Sequence, residues 1–509
     1  MGISDITIRD VILKNSILYS DKVGLVCGET RWTYKKYSLE VDRLASGLAS
    51  LGVEKGDRIA VLAFNCHELI LLFGAAANMG AIMVPVNWRL KAEEIQTILE
   101  NCTPNVMVAG AEYVKLAAEI SDSCPFVVHR LTTGQTSLEG FRSLSELADS
   151  GGDLQSIDLT QDDSFVIIHT AAVKGIPKGA VLTHGNIVMS ATQVMTLGCM
   201  TCDDVTINIL PLFHIGGLGN AFRMMHAGGK NVMMKTFDVP KLVSLIEQEQ
   251  VTLLQTFPPM LAKVLDESEA SGQSLASLRI VSGLEEAKTI QRFQKMTKAR
   301  FWVGYGQTET TGFCATSPYD ARPGSAGKEG PLARVRIVDN HDREVAVGEA
   351  GEMVVRGPLV FQKYWNMEAE TTHTFRGGWH HSGDMGRLDE EGYLWYVKRM
   401  PEKELIKPGG ENVYPVEVEN VLLEHPSISK ACVFGVPDAH WGEAIKAVCV
   451  CKEGTPRDQQ AVIDFVGERI ARYKKPKYII FVDSLPKNED GDIDRDKVKS
   501  VHGQEKTSV

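Results

Sequence analysis

The sequence has little that would mark a disulfide scaffold, a nucleic-acid surface or a membrane span. Its ten cysteines among 509 residues follow no regular framework. A stapled secreted fold is therefore excluded, and scattered reduced thiols fit a cytoplasmic location. Cys199-Met-Thr-Cys202 has metal-like spacing but no second pair, so zinc is not expected. Positive charge is in deficit, with 54 Lys and Arg against 65 Asp and Glu, a net charge of -11. That excludes a nucleic-acid partner, and any polyanionic ligand must be met by local positive charge. The longest apolar run, Leu69 to Val86, is broken by Gly74, Asn78, Gly80 and Pro85. It reads as a buried helix feeding a strand, and no integral membrane segment is expected. Met1-Gly-Ile-Ser-Asp-Ile6 lacks the basic region and apolar core of a signal peptide. There is no low-complexity tract and no internal repeat. With 44% hydrophobic and 23% charged residues, the composition is that of a soluble globular protein. The length calls for roughly two to four folding units.

What is present alternates. Trp32-Thr-Tyr34 leads into a helix carrying Leu39, Leu44, Leu48 and Leu51, closed by Gly52. Strand 59–62, helix 68–78, strand 82–86, helix 93–101 and strand 106–109 follow, the pattern of a parallel sheet under helices. Residues 149–162 read as a polar loop. A second α/β unit is expected from Phe165, with strands at 165–168, 207–210, 232–234, 253–255, 280–281 and 301–303. Beyond about Gly324, runs at 335–338 and 352–356 predict an antiparallel β unit. From Arg399 a compact α+β domain of about 110 residues begins. The expected fold is α/β. Residues 1–398 form a large N-terminal domain of two doubly wound α/β subdomains plus a β-rich one, and residues 399–509 a small α+β domain.

The first candidate site is Thr170 to Gly179. A strand enters a short Gly/Lys loop, where backbone N–H groups and a lysine can cradle phosphate. Thr183-His-Gly-Asn186 then starts a helix. The loop resembles that of the adenylate-forming superfamily of acyl-CoA synthetases, aryl-CoA ligases and luciferases, which reads Thr-Ser-Gly-Thr-Thr-Gly-x-Pro-Lys-Gly. Thr170, Gly175, Pro177, Lys178 and Gly179 match, whereas Ala171, Ala172, Val173 and Lys174 replace the Ser-Gly-Thr-Thr positions.

Further motifs carry the resemblance from about Ile8 to Arg495. Tyr305-Gly306-Gln307-Thr308-Glu309 follows a strand, where ligands of open α/β sheets bind. It matches Tyr-Gly-x-Thr-Glu, which implies adenine stacking by Tyr305, phosphate contact by Thr308 and Mg²⁺ held by Glu309. Gly378-Trp-His-His-Ser-Gly-Asp384 resembles Gly-Trp-x-x-Thr-Gly-Asp and implies that Asp384, with Arg399, holds the ribose. Leu210-Pro-Leu-Phe213-His214, Gly216 and Gly217 resemble the acyl-pocket motif, with His214 as its gate. Ser282-Gly283-Leu-Glu285-Glu stands where relatives carry Gly-Gly-Ala-Pro, so Gly283 borders the acyl group. Lys407-Pro-Gly409-Gly410 resembles the loop that admits the pantetheine arm of CoA, and Lys403 the hinge. In Leu485 to Arg495, Asp492 takes the place of the lysine that bridges carboxylate and α-phosphate. An acidic group about 4 Å from a phosphate charge costs roughly 4 kcal/mol at an intermediate dielectric. Lys174 and Asp492 can thus have exchanged charge.

The resemblance implies an acyl-CoA ligase with a mobile C-terminal lid. It joins a carboxylate to CoA through an acyl-adenylate and releases AMP and pyrophosphate. The expected ligands are ATP or AMP/acyl-adenylate, CoA, Mg²⁺ and a small-molecule carboxylate, and a homodimer is one compatible assembly. The Lys174 and Asp492 departures leave two alternatives. One is a ligase that only transfers a supplied acyl-adenylate to CoA, and the other is a non-catalytic acyl- or nucleotide-binding protein.

Overall fold

The computed structural model describes residues 5–134, 138–152, 157–173, 176–400, 405–438, 441–488 and 493–504. Lys174, Gly175, Lys403 and Asp492 lie outside these residues, and with them the proposed charge exchange and the hinge.

Short runs of apolar residues build the first sheet. Arg58–Leu62, Ile82–Pro85 and Val106–Ala109 are buried almost throughout. Strands covered on both faces read as continuous apolar runs, and these pair in parallel through Ile59, opposite Met83 and Val106. Ser164–Val173 joins this same sheet by placing Val166 opposite Met83. The expectation that Phe165 opens the second sheet is therefore corrected. A doubly buried run shows that both its faces are covered but does not identify its neighbour.

The second sheet contains Val205–Asn208, Lys230–Met233, Leu253–Thr256, Ile280–Gly283 and Arg300–Gln307, in parallel order. Its edge comes from the N-terminus. Val23–Cys27 runs parallel to Lys230–Met233 and antiparallel to Thr30–Thr33, a hairpin absent from the sequence reading. Among the described residues the two sheets hold eight and nine strands.

Between them lie the helices His184–Gly198 and Ile215–Ala227. The first starts where expected. Asn186 N donates to Thr183 Oγ1 at 3.1 Å, and Thr183 N donates to Asn186 Oδ1 at 3.0 Å. Such a reciprocal box stabilises a helix end by about 1 kcal/mol. The second turns Leu218, Phe222 and Met225 toward Phe73 and Phe165 of the first layer. Its Asn220 reaches the other way, donating to Thr206 and Asn208 of the second sheet at 2.9 and 3.1 Å. Of the leucines assigned to the helix Tyr34–Ser50, Leu44 and Leu48 are core but Leu39 is 52% exposed.

Arg334–Val338 and Gly351–Arg356 pair antiparallel, as expected, in a four-stranded sheet with His380–Leu388 and Leu394–Arg399. The C-terminal unit carries its own core, Val418, Leu422, Val433 and Val466 among others, under the strands Ile428–Asp438, Gly442–Cys451 and Tyr478–Val482. Among the described residues no helix is long and apolar enough to cross a membrane.

Candidate active site

The strand Arg300–Gln307 runs further than expected and carries Tyr305, Gly306 and Gln307 within it. Its end meets His380–Leu388 from the β-rich sheet, and Asp384 is the joint. Asp384 is 1% exposed. Tyr305 Oη donates to its Oδ2 at 2.7 Å, and Gln307 Nε2 donates to the same oxygen at 2.6 Å and to the Ser382 carbonyl at 3.0 Å. Arg399 Nε stands 3.2 Å from Oδ1 as an ion pair. Among the described residues no donor is aligned on that oxygen, however, and it is buried without a hydrogen bond. A buried carboxylate oxygen with an open lone pair fits a ligand hydroxyl. Burial pushes the Tyr305 phenol well above its ordinary range, and the Asp384 charge adds to the effect. Tyr305 therefore stays a neutral donor.

The phosphate side is a hairpin, since Ser164–Val173 turns back into Ile176–Thr183 and sets Thr170 opposite Lys178. Thr170 Oγ1 donates to the Lys178 carbonyl at 3.3 Å. Lys178 is itself 9% exposed. Its Nζ lies 2.5 Å from Glu370 Oε2 and 5.2 Å above the Tyr364 ring. The Tyr364 hydroxyl in turn donates to Glu309 Oε1 at 2.8 Å. Thr308 and Glu309 form the short turn that follows Gln307. Neither Glu370 nor Tyr364 was singled out from the sequence. They lie far along the chain, in a stretch, Tyr364 to Glu370, that carries no motif of its own.

Among the described residues no group of three or more His, Cys, Asp or Glu side chains is gathered for a metal. A divalent ion here would rest on Glu309 and on phosphate oxygens. That suits Mg²⁺, which usually keeps few protein ligands.

The acyl-side residues come together at the start of the helix Ile215–Ala227. His214 caps it, accepting from Gly216 N at 3.2 Å. Burial lowers the His214 pKa, which leaves the ring neutral. Phe213 packs edge-on against Trp88 at 6.1 Å. Gly217 and Gly283 mark close backbone approach. A Cβ at Gly217 would lie 2.3 Å from the Pro211 carbonyl, and one at Gly283 would lie 1.9 Å from that of Thr256. Glu285 accepts from Leu261 N at 3.3 Å, and burial pushes its carboxyl up to about 7.

The C-terminal unit closes over this region. Arg89 Nη1 meets Glu411 Oε1 at 2.5 Å. Lys474 Nζ sits 2.6 Å from both Glu94 and Glu417, and Ala471 N donates to Glu94 at 3.1 Å. Lys407 and the turn Pro408–Gly410 lie beside Trp441, whose carbonyl accepts from Gly409 N at 3.0 Å. Lys407 is exposed, yet the protein mass around it and the Arg399 charge lower its pKa. A cavity of about 870 Å³ runs between the units, lined by Thr170, His214 and Thr308 on one side and Glu411, Tyr473 and Lys474 on the other.

One cavity thus joins the hairpin at Thr170, the Phe213–His214 pair, the Thr308 turn and a second unit. That is the layout of an enzyme that activates one substrate and passes it to another. The chain belongs to the AMP-binding enzyme family, whose model matches residues 15–365, while that of the AMP-binding enzyme C-terminal domain matches residues 417–491. Its class is that of the AMP-forming acid–thiol ligases. It is 34% identical over 489 residues to an indoleacetate–CoA ligase of Aromatoleum aromaticum, covering 94% of this chain and 95% of the relative. An o-succinylbenzoate CoA synthetase of Bacillus subtilis is similar in two states. The double mutant bound to the product analogue OSB-NCoA gives a TM-score of 0.86 at 28% identity, covering 96% of this chain and 97% of that one. The AMP complex gives 0.69 at 27%, covering 96% and 98%. The arrangement of the two units here is thus nearer to the form bound to a thioester-product analogue.

Proposed function

We propose that the enzyme converts a carboxylic acid and ATP into an acyl-adenylate and pyrophosphate, then transfers the acyl group to CoA with release of AMP. The observation that carries this reading is the single cavity shared by the phosphate hairpin, His214 and the C-terminal unit. Two substrates of one acyl carbon must meet there in turn. In this reading Tyr305, Gly306 and Gln307 flank the adenine. The open Oδ1 of Asp384 receives a ribose hydroxyl beside the Arg399 guanidinium, 3.2 Å away. Thr170, Lys178 and Thr308 contact phosphate together with Lys174 and Gly175. Glu309 would hold Mg²⁺, which supplies charge neutralisation on the phosphates when bound. Phe213, His214, Gly216, Gly217 and Gly283 shape the acyl pocket, and Lys407, Gly409 and Gly410 border the CoA arm. The domain division falls near Arg399, between residues 1–398 and 399–509.

The test is pyrophosphate release over a panel of carboxylates, with and without CoA, beside thioester formation from synthetic acyl-adenylates. Acid-dependent pyrophosphate and a CoA thioester support the reading. Thioester from supplied adenylate, with no pyrophosphate from any acid, would replace it by the transfer-only ligase. Neither product would make the protein a binding protein.

A further inference from the structure

The helix Ile215–Ala227 has one residue that its surroundings do not explain. Its sequence, Ile-Gly-Gly-Leu-Gly-Asn-Ala-Phe-Arg-Met-Met-His-Ala, is apolar or small except near its end, and Arg223 is its one full charge. Elsewhere the protein pairs its partly buried cations. Lys178 has Glu370, Arg279 has Asp204, Arg399 has Asp384, and Lys474 has Glu94 and Glu417. Arg223 forms no hydrogen bond or ion pair with any described residue, and its buried Nε–H lacks an acceptor. Burial alone lowers its guanidinium to about 10, with no neighbouring carboxylate to offset that cost. The residue as a whole is half-buried, so its terminal nitrogens reach open space while its Nε is closed off without an acceptor. A partly desolvated cation without a partner is still costly to keep.

Helix geometry says where this charge points. At about 100° per residue, Gly216, Gly219 and Arg223 lie within about 60° of one another around the axis. A Cβ at Gly216 would point toward Gln255 Nε2 at 3.6 Å, so this face looks at the strand Leu253–Thr256. A Cβ at Gly219 would meet only Ile215 of its own helix, at 3.9 Å, so the face is open there. Ala227, one turn beyond Arg223, belongs to a cluster that packs against Trp302. The indole N–H of Trp302 is also buried without an acceptor, and the Gln255 amide oxygen without a donor. Gln255 can present either end of its amide by a flip. The line therefore starts at His214, passes two residues without side chains, and ends at two unsatisfied donors, one of them charged.

We infer that the acyl substrate carries a second anionic group, a carboxylate, at the end remote from the carboxyl that is activated, and that Arg223 receives it. This rests on the acyl-CoA ligase reading and names its substrate class, a dicarboxylic acid. A water or a hydroxyl would satisfy one donor, whereas only an anion offsets the charge. Nine residues of helix separate His214 from Arg223, about 13 Å, and long helical side chains lean back toward the N-terminus. The two carboxyl groups are thus roughly 8–12 Å apart. One is adenylated, and the other passes through the reaction unchanged.

The experiment compares α,ω-dicarboxylic acids of about six to twelve carbons with the monomethyl esters of the same acids, on the full-length protein and on Arg223→Met and Arg223→Lys. The wild type should prefer the diacid by about 100-fold in kcat/KM. Arg223→Met should lose that preference, and Arg223→Lys should keep about a tenth of it. Without ligand, Arg223→Met should melt about 2 °C higher, since a half-buried unpaired charge has gone. Equal use of diacid and half-ester by the wild type, or an unchanged preference in Arg223→Met, would overturn the inference. If no acid yields pyrophosphate or thioester, the ligase reading fails on its own. The rise in melting temperature on adding diacid then decides: a rise larger than that from the half-ester, and absent in Arg223→Met, supports the anion site, and equal rises refute it.

Discussion

The phosphate side and the acyl side of this cavity treat buried polar groups in opposite ways. On the side expected to take the nucleotide most groups are already engaged, with Asp384 Oδ1 as the exception. Lys178 is on Glu370, Glu309 is on Tyr364, and Asp384 gathers Tyr305, Gln307 and Arg399. On the side proposed for the acyl group Arg223 and Trp302 hold donors that no described residue meets. The difference concerns when each site is completed. In the proposed reading the nucleotide groups are oriented before ATP arrives, and the ligand must displace or share an internal partner. The acyl groups are completed only by the substrate, which gives discrimination, because a ligand lacking the matching group leaves them stranded.

The comparison can be broken most severely at Asp384. Asp384→Asn keeps the shape but strands Arg399 and removes the acceptor offered to the ribose. Loss of a buried, hydrogen-bonded charge costs about 3–4 kcal/mol, so ATP-dependent pyrophosphate release should fall by roughly 10²–10³-fold in kcat/KM. A loss under about tenfold would mean that the paired network is scaffolding and not a nucleotide site.

A middle effect is expected where the two units clasp. Lys474 lies between Glu94 and Glu417, and those carboxylates hold its pKa up against burial, which by itself lowers it. Lys474→Met leaves two carboxylates facing each other across the interface. Thioester formation should fall by about tenfold, while pyrophosphate release should change by less than about twofold, because only the closed arrangement seen here is weakened. Equal loss in both half-reactions would show that the clasp serves stability alone.

The smallest effect should be a gain. Glu370 competes with phosphate for Lys178, and its side chain is 45% exposed. Exposed pairs contribute little, so Glu370→Gln should lower the KM for ATP by about threefold and leave kcat nearly unchanged. A raised KM would mean that Glu370 positions the lysine for ATP rather than competing with it.

Much of this was legible in the sequence, and the gaps have physical causes. Thr183-His-Gly-Asn186 gave a helix start because capping is local chemistry. Arg334–Val338 and Gly351–Arg356 were recognised because strand alternation is local too. The placement of Ser164–Val173 failed because a run buried on both faces carries no address for its neighbour. Tyr305 was set past its strand, 301–303, whereas the strand continues there against Gly312–Pro318. In the site, Asp384, Thr308, Glu309 and Lys178 stood in motifs, and of these Thr308 lines the cavity between the units. Glu370, Tyr364, Glu94 and Lys474 did not stand out, since each matters through a partner far along the chain. Arg223 was overlooked for a related reason: a lone arginine becomes informative only once its surroundings are known to hold no acid.

The hairpin at the start of the chain has a consequence for synthesis. Val23–Cys27 takes Lys230–Met233 as its parallel neighbour, so one of the first strands made pairs with one made about two hundred residues later. At about 5–20 residues per second, the ribosome leaves that edge without its neighbour for roughly 10–40 seconds. An unpaired edge is an invitation to wrong pairing. The amino-terminal hairpin is therefore the segment of this enzyme most in need of shelter while the rest of the chain emerges.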